Sequence, residues 1–176
     1  IAIDYQKRFP NNDGLSFLLA RCYLLNKQYA NSLKVLTGKT FLPNEGATEG
    51  RQLYRESLLM LTFDNMDKGK YTQALSSIEK ARLWPENLGV GKPYDADIDE
   101  RFENFVKALC LEKMKKKLEA DKLYASITTE KTGFRNANLL LNALALRKTG
   151  REAEGVSLLE EWKVKSSDKL TPEWCL

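Results

Sequence analysis

The chain has 176 residues, and its content of 43% apolar and 30% charged residues is that of a folded globular protein rather than a disordered one. The net charge of +4 is small, and Lys and Arg are interspersed with Asp and Glu along most of the chain, which argues against the basic stripe of a nucleic-acid-binding protein. Histidine is absent and the three cysteines are far apart, which argues against the commonest general base, the commonest metal ligand and a disulfide framework.

Helical periodicity begins at the first residue. Residues 1–10 are predicted to be the end of a preceding repeat, in a piece cut from a longer protein. Helices beginning at Leu15 and Tyr29 form a first pair, which Gly38 ends. A loop at residues 39–50 leads to a long helix, and Gly69 separates this helix from its partner, which ends before Pro85.

The second half repeats this layout after a loop at residues 84–96. Asp97 and Glu100 resemble a capping box, and the helix that follows gives way near Lys115 to a partner helix. Thr132-Gly133 predicts another loop, Gly150 divides the last pair, and residues 166–176 are predicted to be a polar tail. Because no stretch alternates with period 2, the predicted fold class is all-α.

Aligning the breaks between helices gives a repeat register. One register position holds Tyr29, Tyr71, Lys117 and Glu152. Small residues recur three positions later, at Ser32, Ala74, Ala120 and Gly155. Nine positions earlier three of the repeats have the small residues Ala20, Ala108 and Ala143, and the second repeat has Thr62. Small side chains at these places allow the close helix contacts of a stacked array.

This pattern resembles the tetratricopeptide repeat, and Gly69-Lys70-Tyr71 with Ala74, Ala81 and Pro85 carries the resemblance best. The register positions are 42, 46 and 35 residues apart, against roughly 34 in the consensus. The resemblance implies a right-handed α-solenoid of about four antiparallel helix pairs over residues 11–165. It also implies a non-catalytic module that binds or scaffolds protein.

In such arrays the first helix of each pair lines a concave, partner-binding groove. Carried over by position, the groove residues would be Phe17, Arg21, Leu24, Leu59, Phe63, Met66, Phe102, Phe105, Leu109, Leu140, Leu144 and Arg147. Family members that grip a carboxylate place Lys and Asn here, whereas these residues are mostly Phe and Leu. The expected partner is an apolar helix or strand of another protein or peptide, or another domain of the same parent chain. About half of the residues are expected to be inter-helix core instead.

Motifs for chemistry are weak. Gly89-Val90-Gly91-Lys92 lacks the strand and the Ser or Thr of a phosphate loop, and Pro93 follows it. Asp95, Asp97 and Asp99 have calcium-like spacing without the Gly and Glu that an EF-hand needs. We therefore expect no catalytic residues, no cofactor and no metal.

A second resemblance lies in Pro85-Glu86-Asn87-Leu88-Gly89-Val90-Gly91-Lys92-Pro93, which is similar to the repeat region of certain large bacterial proteins. It implies an alternative function, as an accessory helical module of a carbohydrate-active enzyme. Without a long apolar run we expect no membrane insertion. The cysteine usage fits the cytoplasm and leaves the periplasm open.

Overall fold

In a computed structural model, residues 1–129, 137–167 and 170–175 are described, and the regular elements among them are all helical. The predicted all-α class is thus confirmed for these residues. The chain divides into two compact units, Ile1–Asp95 and Ala96–Leu176. Each unit contains two helix pairs.

Unit 1 consists of α1 (Ala2–Arg8), α2 (Asp13–Leu25), α3 (Tyr29–Thr37), α4 (Glu49–Asp67) and α5 (Tyr71–Ala81). The Asn12 side chain caps α2 by accepting a hydrogen bond from the Leu15 N–H at 3.0 Å. Helices α2 and α3 form one pair and α4 and α5 the next, and α3 packs against α4. Helix α2 also contacts α4, so the first helices of the two pairs are neighbours.

Unit 2 consists of α6 (Arg101–Lys113), α7 (Lys117–Thr129), α8 (Leu139–Lys148), α9 (Glu152–Lys165) and α10 (Leu170–Cys175). Its packing repeats that of unit 1, because α6 pairs with α7, α8 pairs with α9, and α6 contacts α8. The predicted polar tail contains α10, which packs against α9. The loop predicted at Thr132-Gly133 lies outside the described residues.

The turn inside each helix pair has the same geometry at all four places. The residue two positions before the second helix has a left-handed backbone: Lys27 (φ 58°), Gly69 (φ 68°), Lys115 (φ 62°) and Gly150 (φ 79°). The next N–H then donates to the carbonyl five residues earlier, at 2.8 to 2.9 Å, in the pairs Gln28–Tyr23, Lys70–Asn65, Lys116–Leu111 and Arg151–Leu146. This is the Schellman ending of a helix, and its recurrence confirms the predicted register.

Small residues at the two other register positions are buried. Ser32, Ala74 and Ala120 are fully inaccessible, as are Ala20, Thr62 and Ala108. In the last pair a Cβ added at Gly155 would lie 2.9 Å from the carbonyl oxygen of Ala143. Close approach of the paired helices therefore depends on these small side chains, as predicted.

Two of the four turns place a lysine where glycine is the better residue. A left-handed backbone costs an L-residue roughly 1 kcal/mol that glycine avoids. We expect Lys115→Gly to raise the free energy of unfolding by about 0.5–1 kcal/mol in urea denaturation. Gly69→Ala, at the equivalent turn of unit 1, should lower it by a similar amount. A destabilising Lys115→Gly would show that the Lys115 side chain makes compensating contacts.

The two long loops of unit 1 are joined by hydrogen bonds. The Asn87 side-chain amide donates to the backbone carbonyls of Leu36 (3.0 Å) and Lys39 (2.9 Å), and the backbone carbonyl of Asn87 accepts from the Phe41 N–H at 2.8 Å. Phe41 is buried and stacks on Phe17 of α2, with ring centroids 4.5 Å apart. The loop that contains the Pro85–Pro93 motif is therefore hydrogen-bonded to the C-terminal end of α3 and to the residues that follow it.

Asn87→Ala should remove the two side-chain hydrogen bonds that hold this loop against the end of α3. Two backbone carbonyls lose their donor, so the free energy of unfolding should fall by about 1–2 kcal/mol, measured by urea denaturation with circular dichroism. Asn44→Ala removes an exposed asparagine from the other loop and serves as the control, with no change expected. Equal effects of the two substitutions would contradict this role of Asn87.

The capping box predicted for Asp97 and Glu100 is wrong. Asp97 lies in a short 3-10 turn, and Glu100 precedes α6 without making a side-chain cap. The cap comes from Asp99, whose Oδ1 accepts from the Arg101 N–H at 3.1 Å. The capping-box pattern does not predict this contact, because it pairs residues three positions apart, whereas Asp99 and Arg101 are two positions apart.

Candidate functional site

A cleft of about 280 Å³ opens between α2 and α4 of unit 1. Its lining consists of Arg21, Leu24 and Leu25 from α2 and of Glu49, Gln52, Leu53 and Glu56 from α4. Both sets follow helical spacing, because residues three and four apart share one face of a helix. The cleft is thus formed by facing stripes of the first helices of two successive pairs.

The floor of the cleft is apolar and its rim is charged. Leu24 and Leu53 are buried, whereas Leu25 at the edge is 78% exposed. Across the rim, Arg21 Nη2 lies 2.6 Å from Glu49 Oε1 in an ion pair whose two side chains are both about half exposed. Within the described part of the chain Glu56 has no ion-pair partner. One guanidinium therefore faces two carboxylates, and the cleft carries a net charge of −1.

The length of α4 explains why these residues face α2. Helix α4 has 19 residues and α2 has 13. The face of α4 that bears these residues is therefore longer than α2, and its two halves can have different neighbours. Its N-terminal half, from Glu49 to Glu56, lines the cleft. The register-based groove positions on α4, which begin at Leu59, lie in its C-terminal half.

The structure brings together only part of the predicted groove in unit 1. Arg21 and Leu24 line the cleft. Leu59 is buried, and Phe63 and Met66 are half-buried further along α4. Phe17 is half-buried and its ring is covered by Phe41, so it serves the packing of the loop.

In unit 2 the predicted groove residues divide between core and surface. The Phe105 ring lies 5.6 Å from that of Tyr124 on α7, and Leu140 packs on the core of Ala143, Leu159 and Trp162. Arg147 is exposed and pairs with Glu152 at 3.2 Å. The other three, Phe102, Leu109 and Leu144, are half-buried.

Sequence reasoning missed five of the seven cleft residues: Leu25, Glu49, Gln52, Leu53 and Glu56. A signal was present, because the stripe Glu49, Gln52, Leu53, Glu56 has helical spacing and mixes apolar with polar side chains. Residues 49 and 50 were predicted to lie in the preceding loop, whereas α4 begins at Glu49, so the first turn of this stripe was not recognised as helical.

The remaining motifs have structural partners. Lys92 Nζ donates to Asp95 Oδ1 at 2.7 Å, and this hydrogen bond is the main cause that lowers the pKa of Asp95. Asp99 pairs with Arg101. Burial raises the pKa of the Cys110 thiol to about 11, which keeps it protonated and unreactive. Among the described residues no group of three His, Cys, Asp or Glu side chains is arranged to hold a metal.

The groups that line the cleft can bind a ligand through apolar contact, hydrogen bonds and ion pairs. Its lining holds aliphatic, amide, carboxylate and guanidinium groups, and no hydroxyl, thiol or amine nucleophile is among the described lining residues.

No helix in the described part of the chain is long and apolar enough to cross a membrane. No family model, curated protein or solved structure matches the chain.

Proposed function

We propose that the chain is a helical-repeat module that binds a protein partner, and that the α2–α4 cleft is a principal contact. The partner is a second protein or another domain of the same polypeptide. The proposal includes stacking of the helix pairs as a right-handed α-solenoid of the tetratricopeptide kind. Such modules act by presenting the first helices of successive pairs to a partner.

The observation that carries this proposal is the facing of α2 and α4. Two first helices that line an open cleft with an apolar floor and a charged rim have the make-up of a small recognition surface, where burial gives affinity and polar groups fix orientation. Repetition of the turn geometry in all four pairs supports an array rather than an irregular bundle. Contact between α6 and α8 gives unit 2 a comparable pair of first helices.

Site-specific photo-cross-linking tests the proposal. p-Benzoylphenylalanine is introduced at Gln52, which is exposed and lines the cleft, in the protein as its own cells make it. The matched control places it at Gln73, an exposed glutamine on α5 outside the cleft lining. We expect Gln52 to cross-link to one discrete protein segment that mass spectrometry identifies, and Gln73 not to reach it.

Two outcomes would overturn the proposal. Absence of any cross-link from Gln52 would leave the cleft without a partner. Equal cross-linking from Gln52 and Gln73 to many proteins would reflect random encounters at the surface. A discrete product within the same polypeptide supports the proposal in its intramolecular form.

A further inference from the structure

We propose that the α2–α4 cleft recognises a protein segment in which a large apolar side chain stands within three residues of a lysine or arginine. This inference rests on the proposed function and names the chemistry of its partner. It follows from the size of the cleft, the charge of its rim and the polar groups left available there.

The size of the cleft indicates that the bound segment inserts one large apolar side chain. A cavity of roughly 150 Å³ lined by aliphatic side chains holds a benzene molecule. The α2–α4 cleft of about 280 Å³ therefore has room for one large side chain and part of its neighbour. Leu24 and Leu53 form the floor, and the exposed Leu25 at the edge would be shielded by the inserted group.

The charge of the cleft rim indicates that the bound segment contains a lysine or arginine. Arg21 is already paired with Glu49, so the carboxylate of Glu56 is the charge that an incoming partner can pair with. Glu56 stands three residues from Leu53 on the same stripe of α4, which places a cation beside an apolar side chain seated on Leu53. Complementary charge at a rim selects partners and accelerates association more than it adds affinity.

Gln52 supplies the neutral polar contact. Its side chain is exposed, and its side-chain amide makes no hydrogen bond within the described part of the chain. Because an amide both donates and accepts, it can bond to the backbone of a bound segment. Nucleic acid is disfavoured as the occupant, since its phosphates would face a net negative rim.

Charge reversal at Glu56 tests the inference. Random dodecapeptides displayed on phage are selected against the full chain, against Glu56→Lys and against Glu160→Lys. The last variant changes the net charge equally at an exposed position of α9. We expect the unaltered chain and Glu160→Lys to enrich peptides that place an apolar residue near Lys or Arg. Glu56→Lys should lose this enrichment and gain Asp and Glu.

Fluorescence anisotropy then measures one selected peptide against its own charge-reversed version. Lys→Glu in the peptide should weaken binding to the unaltered chain by about tenfold at low salt, and less at high salt. Glu56→Lys should restore binding of the reversed peptide. Preservation of the helical circular dichroism spectrum in Glu56→Lys excludes unfolding as the cause.

Each further outcome has one meaning. Selected peptides that cross-link at Gln52 but lack Lys and Arg would overturn this inference and leave the proposed function intact. A chain that cross-links at Gln52 to nothing would overturn both. Self-association in sedimentation velocity that Glu56→Lys abolishes would assign the cleft to a second copy, and would also overturn the inference.

Discussion

Replacing Asp99 by alanine should lower the free energy of unfolding by about 3–5 kcal/mol, because it removes the carboxylate that pairs with the buried Arg101 guanidinium. Arg101 is fully inaccessible, and its Nε and Nη2 donate to the two oxygens of Asp99 at 2.9 and 2.6 Å. Its Nη1 donates to Asn142 Oδ1 at 2.7 Å, and Asn142 in turn donates to the carbonyl of Ile127. The pair thus connects the start of α6 to α7 and α8.

Urea denaturation followed by circular dichroism measures this loss. Asp97→Ala is the matched control, because Asp97 is exposed two residues away and a change there should stay within about 0.5 kcal/mol. A loss below 1 kcal/mol for Asp99→Ala would mean that Arg101 finds another partner or reaches water.

The same pair makes unit 2 sensitive to acid. Burial alone would raise the pKa of Asp99, but hydrogen bonds from Arg101 and Asn138 and the charge of Arg101 together lower it to about 2. A lowered pKa in the folded state stabilises the fold above the unfolded value of roughly 3.9. This contribution, about 2 kcal/mol, is lost as the pH falls from about 4 through 2. Asp99→Ala should therefore show a flatter decline of stability across that range.

Unit 1 contains a second buried arginine with a comparable role. Arg51 on α4 is 6% exposed, its Nη2 donates to the carbonyl of Ala81 at 2.6 Å, and its guanidinium lies 4.6 Å from the ring centroid of Trp84. It thereby satisfies a carbonyl at the end of α5 and packs on the following loop. We expect Arg51→Ala to cost about 3 kcal/mol, because it removes a charged hydrogen bond, a cation–π contact and buried aliphatic packing.

Arg51→Met separates these contributions. Methionine keeps much of the packing, so it should cost about half as much as alanine, in urea denaturation followed by circular dichroism. Arg8→Ala, at an exposed position of α1, should leave the stability unchanged. A cost of less than 1 kcal/mol for Arg51→Ala would contradict the role of Arg51 at the end of α5.

The repeat layout could be predicted because it depends on local rules. Gly69 and Gly150 mark the turns, and small residues recur at fixed distances from them. At Lys27 and Lys115 the turn has the same left-handed backbone, but lysine does not indicate such a turn in a sequence as glycine does. The register could still be inferred there, because the helices on both sides set the spacing.

The buried arginines and the loop contacts could not be predicted. Arginine is normally a surface residue, so a pattern of hydrophobicity does not predict that Arg51 and Arg101 are buried. Their partners Ala81 and Asn142 are distant in the sequence, and Asp99 lies in a loop. Phe41 and Asn87, 46 positions apart, meet only in the folded unit. The cleft was missed for a related reason, since it depends on which half of a long α4 faces α2.

The central claim is that the α2–α4 cleft is the surface that binds a partner. Nuclear magnetic resonance titration of the ¹⁵N-labelled chain tests it most directly, with the peptide selected on the cleft or the segment cross-linked at Gln52 as ligand. We expect saturable shift changes concentrated at residues 21–25 and 49–56. Glu56→Lys should reduce these changes, and Glu160→Lys should leave them unaltered. Shifts centred on other helices, with the cleft residues unmoved, would contradict the claim.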